Sequence, residues 1–172
     1  PLSFNAEIKK GQINVRDMFK LYKFENLLYT LKMSGQEIKD YLEFSYGSWF
    51  NQMKNADDNL LKFNTAANGE LIYTRGTPQL ATAYYNYSSA AGIKYTVDVS
   101  KPAGQRISIA SMSDGKPCDL KKMYTFAMNS YRGNGGGGHL TQGAKIPKDE
   151  IAGRIINSTT KDLRYYLMKW IE

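Results

Sequence analysis

Between Asn129 and His139 the chain reads Asn-Ser-Tyr-Arg-Gly-Asn-Gly-Gly-Gly-Gly-His, with five glycines in eleven residues. Glycine gives up more backbone freedom on folding than any other residue and weakens helices and strands. A folded chain keeps such a run where the backbone must turn sharply or come close to another group. An aromatic at the start of the run, Tyr131, can stack on a flat ligand, and loop N–H groups can bind oxygens. The same residues also allow a floppy surface loop, and composition alone does not choose between the two.

A chain of 172 residues is long enough for one domain with a real core, and no linker divides 1–172 into two. Charged residues make up 23% and hydrophobic residues 42%, which is ordinary soluble globular composition. No apolar run approaches the ~20 residues that span a bilayer. The net charge of +7 favours anionic partners. The lysines are scattered, however, with the densest pairs at Lys9-Lys10 and Lys121-Lys122, so a nucleic-acid partner is not expected. The single cysteine, Cys118, and single histidine, His139, allow no internal disulfide and no Cys- or His-based metal centre. Because the chain starts at Pro1 without an initiator Met, we expect a piece or processed product of a longer protein, with Pro1 to Asn5 in a packed strand or turn.

Periodicity predicts the elements. Asn14 caps a short helix through Val15, Met18, Phe19 and Tyr22, with Asp17 in its first turn. Leu27, Tyr29, Leu31 and Met33 alternate as a half-buried strand. Ser34-Gly-Gln-Glu37 is a capping box opening a helix with Ile38, Tyr41, Leu42, Ser45 and Trp49 on one face, and Gly47 weakens its end. Residues 51–80 are polar and irregular, with short pieces expected inside them. Further strands are expected at Ile93 to Val99, Arg106 to Ser111 and Tyr124 to Met128, with turns at 101–104 and Asp114-Gly115. A closing helix is expected to start at Ser158-Thr159-Thr160, with Leu163, Tyr166, Leu167 and Trp170 on one face. The sum is an α+β fold of layered mixed sheets flanked by helices.

Catalytic sets are thin. His139 has no orienting carboxylate nearby in sequence and reads as a solvated loop histidine. The glycine run lacks the Gly-Lys-Ser/Thr ending of a P-loop. Asp57-Asp58 and Asp149-Glu150 fit solvated turns and helix starts. A second binding candidate is Phe24 with Asn26, between a helix and a strand, where a side chain can face a cleft and an amide can offer both donor and acceptor. A core aromatic and a turn residue would satisfy the same sequence.

The order Gly11-Gln-Ile-Asn-Val-Arg-Asp17, Tyr22-Lys-Phe-Glu-Asn26, Met33 to Glu43, Ala91-Gly-Ile-Lys-Tyr95, Ser100 to Ile107 and Asn129-Ser-Tyr-Arg132 resembles the C-terminal domain of the 5′-nucleotidase family. That family includes 2′,3′-cyclic-nucleotide phosphodiesterases and UDP-sugar hydrolases. The resemblance implies an N-terminal metallophosphoesterase domain, absent from these residues, that holds two divalent metal ions and hydrolyses the ester by metal-activated water. It implies that this chain binds the nucleoside part of a nucleotide, carries no cofactor and no catalytic residue, and is inactive alone. By the same resemblance Phe24 and Tyr131 clamp the base and Asn26 contacts it. Gly92 lets backbone approach the ligand, and Asn129 and Arg132 belong to the same site. Arg132 either approaches phosphate or faces solvent. The protein would be periplasmic or extracellular.

Two departures stand out. Lys23 stands where the family usually has Pro, and Gly137 stands where many members place Asp for the ribose hydroxyls. The Asn-x-Tyr-Arg form is closer to the cyclic-nucleotide branch. The family's phosphate-contacting arginines fall at or before the start of this chain. Two other readings compete: a non-catalytic module for nucleotide, oligonucleotide or sugar, and a structural domain with Phe24 and Tyr131 both buried.

Overall fold

The computed structural model describes residues 6–172, so the expectation for Pro1 to Asn5 lies outside the described residues. The regular elements are α1 (Val15–Leu21), β1 (Leu27–Ser34), α2 (Gly35–Trp49), β2 (Tyr73–Thr74), β3 (Thr77–Pro78), β4 (Ile93–Val97), β5 (Ile107–Met112), β6 (Met123–Asn129), α3 (Ser130–Gly133), α4 (Ile151–Arg154), β7 (Ile155–Asp162) and α5 (Leu163–Ile171). β1 is the centre of a three-stranded sheet, flanked by β6 and β7, both antiparallel to it. β4 pairs with β5 and β2 with β3 as separate antiparallel hairpins. With α2 packed across the sheet, the arrangement is α+β.

The capping box at the β1–α2 junction forms as its spacing requires. Ser34 Oγ accepts from Glu37 N at 3.1 Å, and Ser34 N donates to Glu37 Oε2 at 2.7 Å. Two backbone donors that the first helical turn would leave bare are thereby satisfied. Arg154 Nη1 then pairs with Glu37 Oε1 at 3.0 Å, tying α4 to the same corner. Ser34→Ala should cost about 1 kcal/mol of stability, read as a lower urea midpoint at unchanged m-value.

The core lies between β1 and α2. Leu31, Met33 and Leu42 are fully enclosed, with Ile38, Tyr41 and Tyr46 beside them. Leu140, Ile146, Ile151 and Ile107 complete the same buried cluster. α2 runs through Gly47 to Trp49, further than a weakened end would suggest. Its C-terminal carbonyls are capped by buried Arg106, whose Nη1 donates to Phe50 O at 2.8 Å and Tyr46 O at 3.3 Å. Burial pulls that guanidinium's pKa down, and neighbouring Glu43 opposes the shift. Glu43 Oε1 also takes Ile107 N at 2.6 Å, so the β4–β5 hairpin hangs on α2.

Three expectations are corrected. β4 ends at Val97, because the Asp98 carboxylate accepts from Ser100 N and turns the chain before Val99. The closing helix starts at Leu163, not at Ser158. Ser158 to Asp162 belong to β7, where Thr159 Oγ1 accepts from Leu28 N at 3.0 Å at a shift in the ladder. The helix cap is Asp162, whose Oδ1 accepts from Tyr165 N at 2.8 Å. Trp170, expected to share one apolar face of that helix with Leu163, Tyr166 and Leu167, is 83% exposed. Within 51–80 the short pieces are β2, β3 and the bridges Phe50–Leu61, Phe63–Leu80 and Thr65–Leu71.

Candidate functional site

The loop carrying Phe24 and Asn26 joins α1 to β1 and is fastened from beneath by α5. Arg164, buried, donates from Nη1 to Tyr22 O at 3.2 Å and pairs through Nη2 with Asp162 at 2.8 Å. Its guanidinium lies 3.9 Å from the Phe19 ring centroid. Phe24 is 39% exposed, touches Tyr22 edge-on and has Lys23 Nζ 5.2 Å from its centroid. A cation over the ring face adds modest attraction at an exposed site. Asn26 is engaged within the chain: Nδ2 donates to Tyr22 Oη at 2.8 Å, Oδ1 accepts from Ser130 Oγ at 3.5 Å, and its carbonyl takes Leu163 N.

The second loop begins where β6 ends. Asn129 Oδ1 accepts from Arg132 N at 2.9 Å, so its side chain caps the single turn of α3. Ser130 Oγ also accepts from Leu27 N at 3.0 Å, which joins the two loops directly. Tyr131, 41% exposed, lies within reach of the Arg132 guanidinium (5.3 Å) and of the Tyr85 ring (6.5 Å). The glycine run then coils tightly, with Gly135, Gly137 and Gly138 all at positive φ. A Cβ on Gly137 would collide with Arg132 Nη1 and lie 2.6 Å from Asn86 Oδ1. The glycines are therefore there for close approach of one part of the protein to another.

Arg132 does not face solvent: it is 5% exposed. Nη1 donates to Asn86 Oδ1 at 3.1 Å and Gly136 O at 3.0 Å, and Nη2 to Tyr85 O at 2.9 Å. Burial lowers its pKa from the ordinary value, while the phenols of Tyr41 and Tyr131 raise it. His139 is likewise not a solvated loop residue, since it is 1% exposed between the rings of Tyr41 (4.9 Å) and Phe44 (5.2 Å). Its Nδ1 meets Gly137 O at 3.1 Å, and Nε2 has no hydrogen-bond partner among the described residues. Burial, then the nearby Arg132 charge, push its pKa down to about 4, so the imidazole is neutral at pH 7.

The structure brings Phe24, Asn26, Asn129, Tyr131 and Arg132 to the adjoining ends of β1 and β6. Gly92 stands apart, at φ +87 before β4, bordering a cavity of about 590 Å³ with Ser113, Lys116 and Tyr124. Sequence reasoning missed Ser130, which joins the loops, and Tyr85 and Asn86, which receive Arg132. A signal existed in Tyr84-Tyr85-Asn86-Tyr87, a knot of aromatics within a polar stretch. Among the described residues no group of three or more His, Cys, Asp or Glu could hold a metal ion, so these side chains do not fit a two-metal centre.

The family profile described as "5′-nucleotidase, C-terminal domain" matches residues 1–144. A trifunctional nucleotide phosphoesterase of Bacillus subtilis is 29% identical over 98% of this chain and 11% of its own length. A 2′,3′-cyclic-nucleotide 2′-phosphodiesterase/3′-nucleotidase of Salmonella typhimurium is 33% identical over 79% of this chain and 20% of its own. The chain thus spans between a tenth and a quarter of the length of the curated relatives it matches. Among solved structures, a protein of Staphylococcus aureus described as a 5′-nucleotidase, in complex with α-ketoglutarate, superposes with a TM-score of 0.62 at 27% identity. That match covers 91% of this chain and 26% of the other. With a family profile matched over most of its length and the same fold in that relative, the chain belongs to the 5′-nucleotidase C-terminal domain family.

Proposed function

We propose that this domain binds the nucleoside part of a nucleotide by stacking the base between Phe24 and Tyr131. It would act as the specificity domain of a phosphoester hydrolase for 5′-nucleotides or 2′,3′-cyclic nucleotides. The observation that carries the reading is that both rings are partly exposed on loops fastened together through Ser130. Stacking tolerates different bases and needs little from Asn26, whose amide already has partners within the chain. Two divalent metals would be held by an N-terminal domain of the same polypeptide, and this domain would contribute by holding the ester in place. A periplasmic or extracellular setting belongs to the same proposal.

The test is an NMR titration with adenosine and with AMP, following the rings of Phe24 and Tyr131. Saturable shifts at both rings are expected, with a Kd on the order of 1 mM because half of the site lies elsewhere. Phe24→Ala and Tyr131→Ala should each weaken binding about tenfold. Unmoved resonances at both rings, or ring-deleted variants that bind as well as the parent, would refute the clamp.

A further inference from the structure

Neither Phe24 nor Tyr131 lines the largest cavity described, a cleft of about 980 Å³ between the outer edge of β6 and segment 84–91. That volume lies within the range typical of small-molecule sites, roughly 300–1,000 Å³. Its walls are aromatic, with Trp49, Phe50, Tyr85, Tyr87 and Phe126 among them. One end is polar, where Tyr41, Ser88, Asn129 and Arg132 meet. Arg132 is the only charged residue in the lining.

The guanidinium is the telling group. It is buried, and among the described residues it has no ion-pair partner. The guanidinium donates to two backbone carbonyls and one side-chain amide, all neutral. Buried charges are ordinarily paired, because an isolated one loses its hydration without return. The other two buried arginines are compensated, one by an ion pair and one, without an ion pair, by its surroundings. Arg164 pairs with Asp162, and Arg106 has the Glu43 charge close by and sits at the negative end of α2. Arg132 has neither, and the space it borders is a cleft rather than packed core. Trp49, in the same lining, has a buried indole N–H with no acceptor among the described residues.

We propose that this cleft is a second ligand site, for a small aromatic anion whose rings lie on the tyrosine and tryptophan walls and whose anionic group answers Arg132. The cleft shares Asn129 and Arg132 with the residues grouped above but is lined by neither Phe24 nor Tyr131, so shifts at those two rings and a shift at Trp49 report the two readings separately.

The chain carries two tryptophans, Trp49 in the cleft and Trp170 on the surface, which gives a located readout. Indole N–H resonances are followed while 8-anilinonaphthalene-1-sulfonate is titrated, and then while its uncharged counterpart N-phenyl-1-naphthylamine is titrated. The sulfonate should move Trp49 and leave Trp170 in place, and bind about tenfold more tightly than the uncharged compound. Ala127→Trp, at an exposed position on the cleft wall, should abolish the Trp49 shift, and Arg132→Lys should narrow the gap between the two probes. A Trp49 signal that stays put at millimolar sulfonate, equal affinity for the two probes, or full binding by Ala127→Trp would each overturn the proposal.

Discussion

Replacing Gly137 with Ala should lower the free energy of unfolding by about 3 kcal/mol, measured by urea denaturation. Two costs combine. Gly137 has φ +72, where an L side chain costs about 1–2 kcal/mol. The new methyl would also occupy the place of Arg132 Nη1 and crowd Asn86 Oδ1. Displacing that buried guanidinium leaves neutral acceptors unpaired, at about 1–3 kcal/mol. Gly135→Ala is the matched control. It has φ +87, but its methyl would meet only Ile151 Cδ1 at 3.4 Å and Thr141 Cγ2 at 3.8 Å. It should therefore show the backbone cost alone. Equal losses in the two variants would mean that Arg132 is not held as described.

Stability should fall between pH 6.5 and pH 4 by about 3 kcal/mol through His139 alone. The folded pKa, about 4, is depressed below the ordinary 6.5. A group depressed in the folded state contributes its stability above the unfolded pKa, and that contribution is lost as pH falls through the folded value. Here the unfolded chain takes up the proton first, and the folded chain resists it until about pH 4. Several carboxylates, including those of Asp17, Asp58, Asp98 and Asp114, are held below their ordinary pKa and titrate lower still. The upper part of the window therefore belongs to the histidine. Denaturation midpoints between about pH 6.5 and about pH 5 should slope for the parent and be flat for His139→Phe. A parent as stable at pH 4.5 as at pH 7 would show that the imidazole is not buried neutral.

Local signals in the sequence carried much of the fold. Asn14, the box at Ser34 and Glu37, and the alternation in Leu27 to Met33 act within a few residues, and each produced the element it announced. β7 was less legible because Ser158-Thr159-Thr160 suits a helix cap and a strand equally. The choice is made by pairing with Leu27 to Leu31, more than a hundred residues away. Trp170 followed a helical stripe, yet nothing in the described structure covers its position. At the candidate site, residue type left both a core and a cleft-facing position open for Phe24, and both a floppy loop and a tight coil open for the glycine run. The part-exposed rings of Phe24 and Tyr131 and the positive-φ coil are read from the structure. The burial of Arg132 and His139 did not follow from residue type either. It depends on Asn86, Tyr85, Tyr41 and Phe44, which the chain brings in from two other segments.

The central position of β1 has a consequence for how the protein is made. Its two neighbours arrive late: Leu28 pairs with Asn129, and its N–H is completed by Thr159, 131 residues further on. A ribosome releases β1 and α2 long before either partner strand exists, so Leu31 and Met33 spend most of synthesis without their sheet. Contacts so distant along the chain close slowly, because the intervening loop must be ordered before any pairing compensates for it. The loop carrying Phe24 therefore has neither Ser130 nor Arg164 to fasten it until those residues have been made.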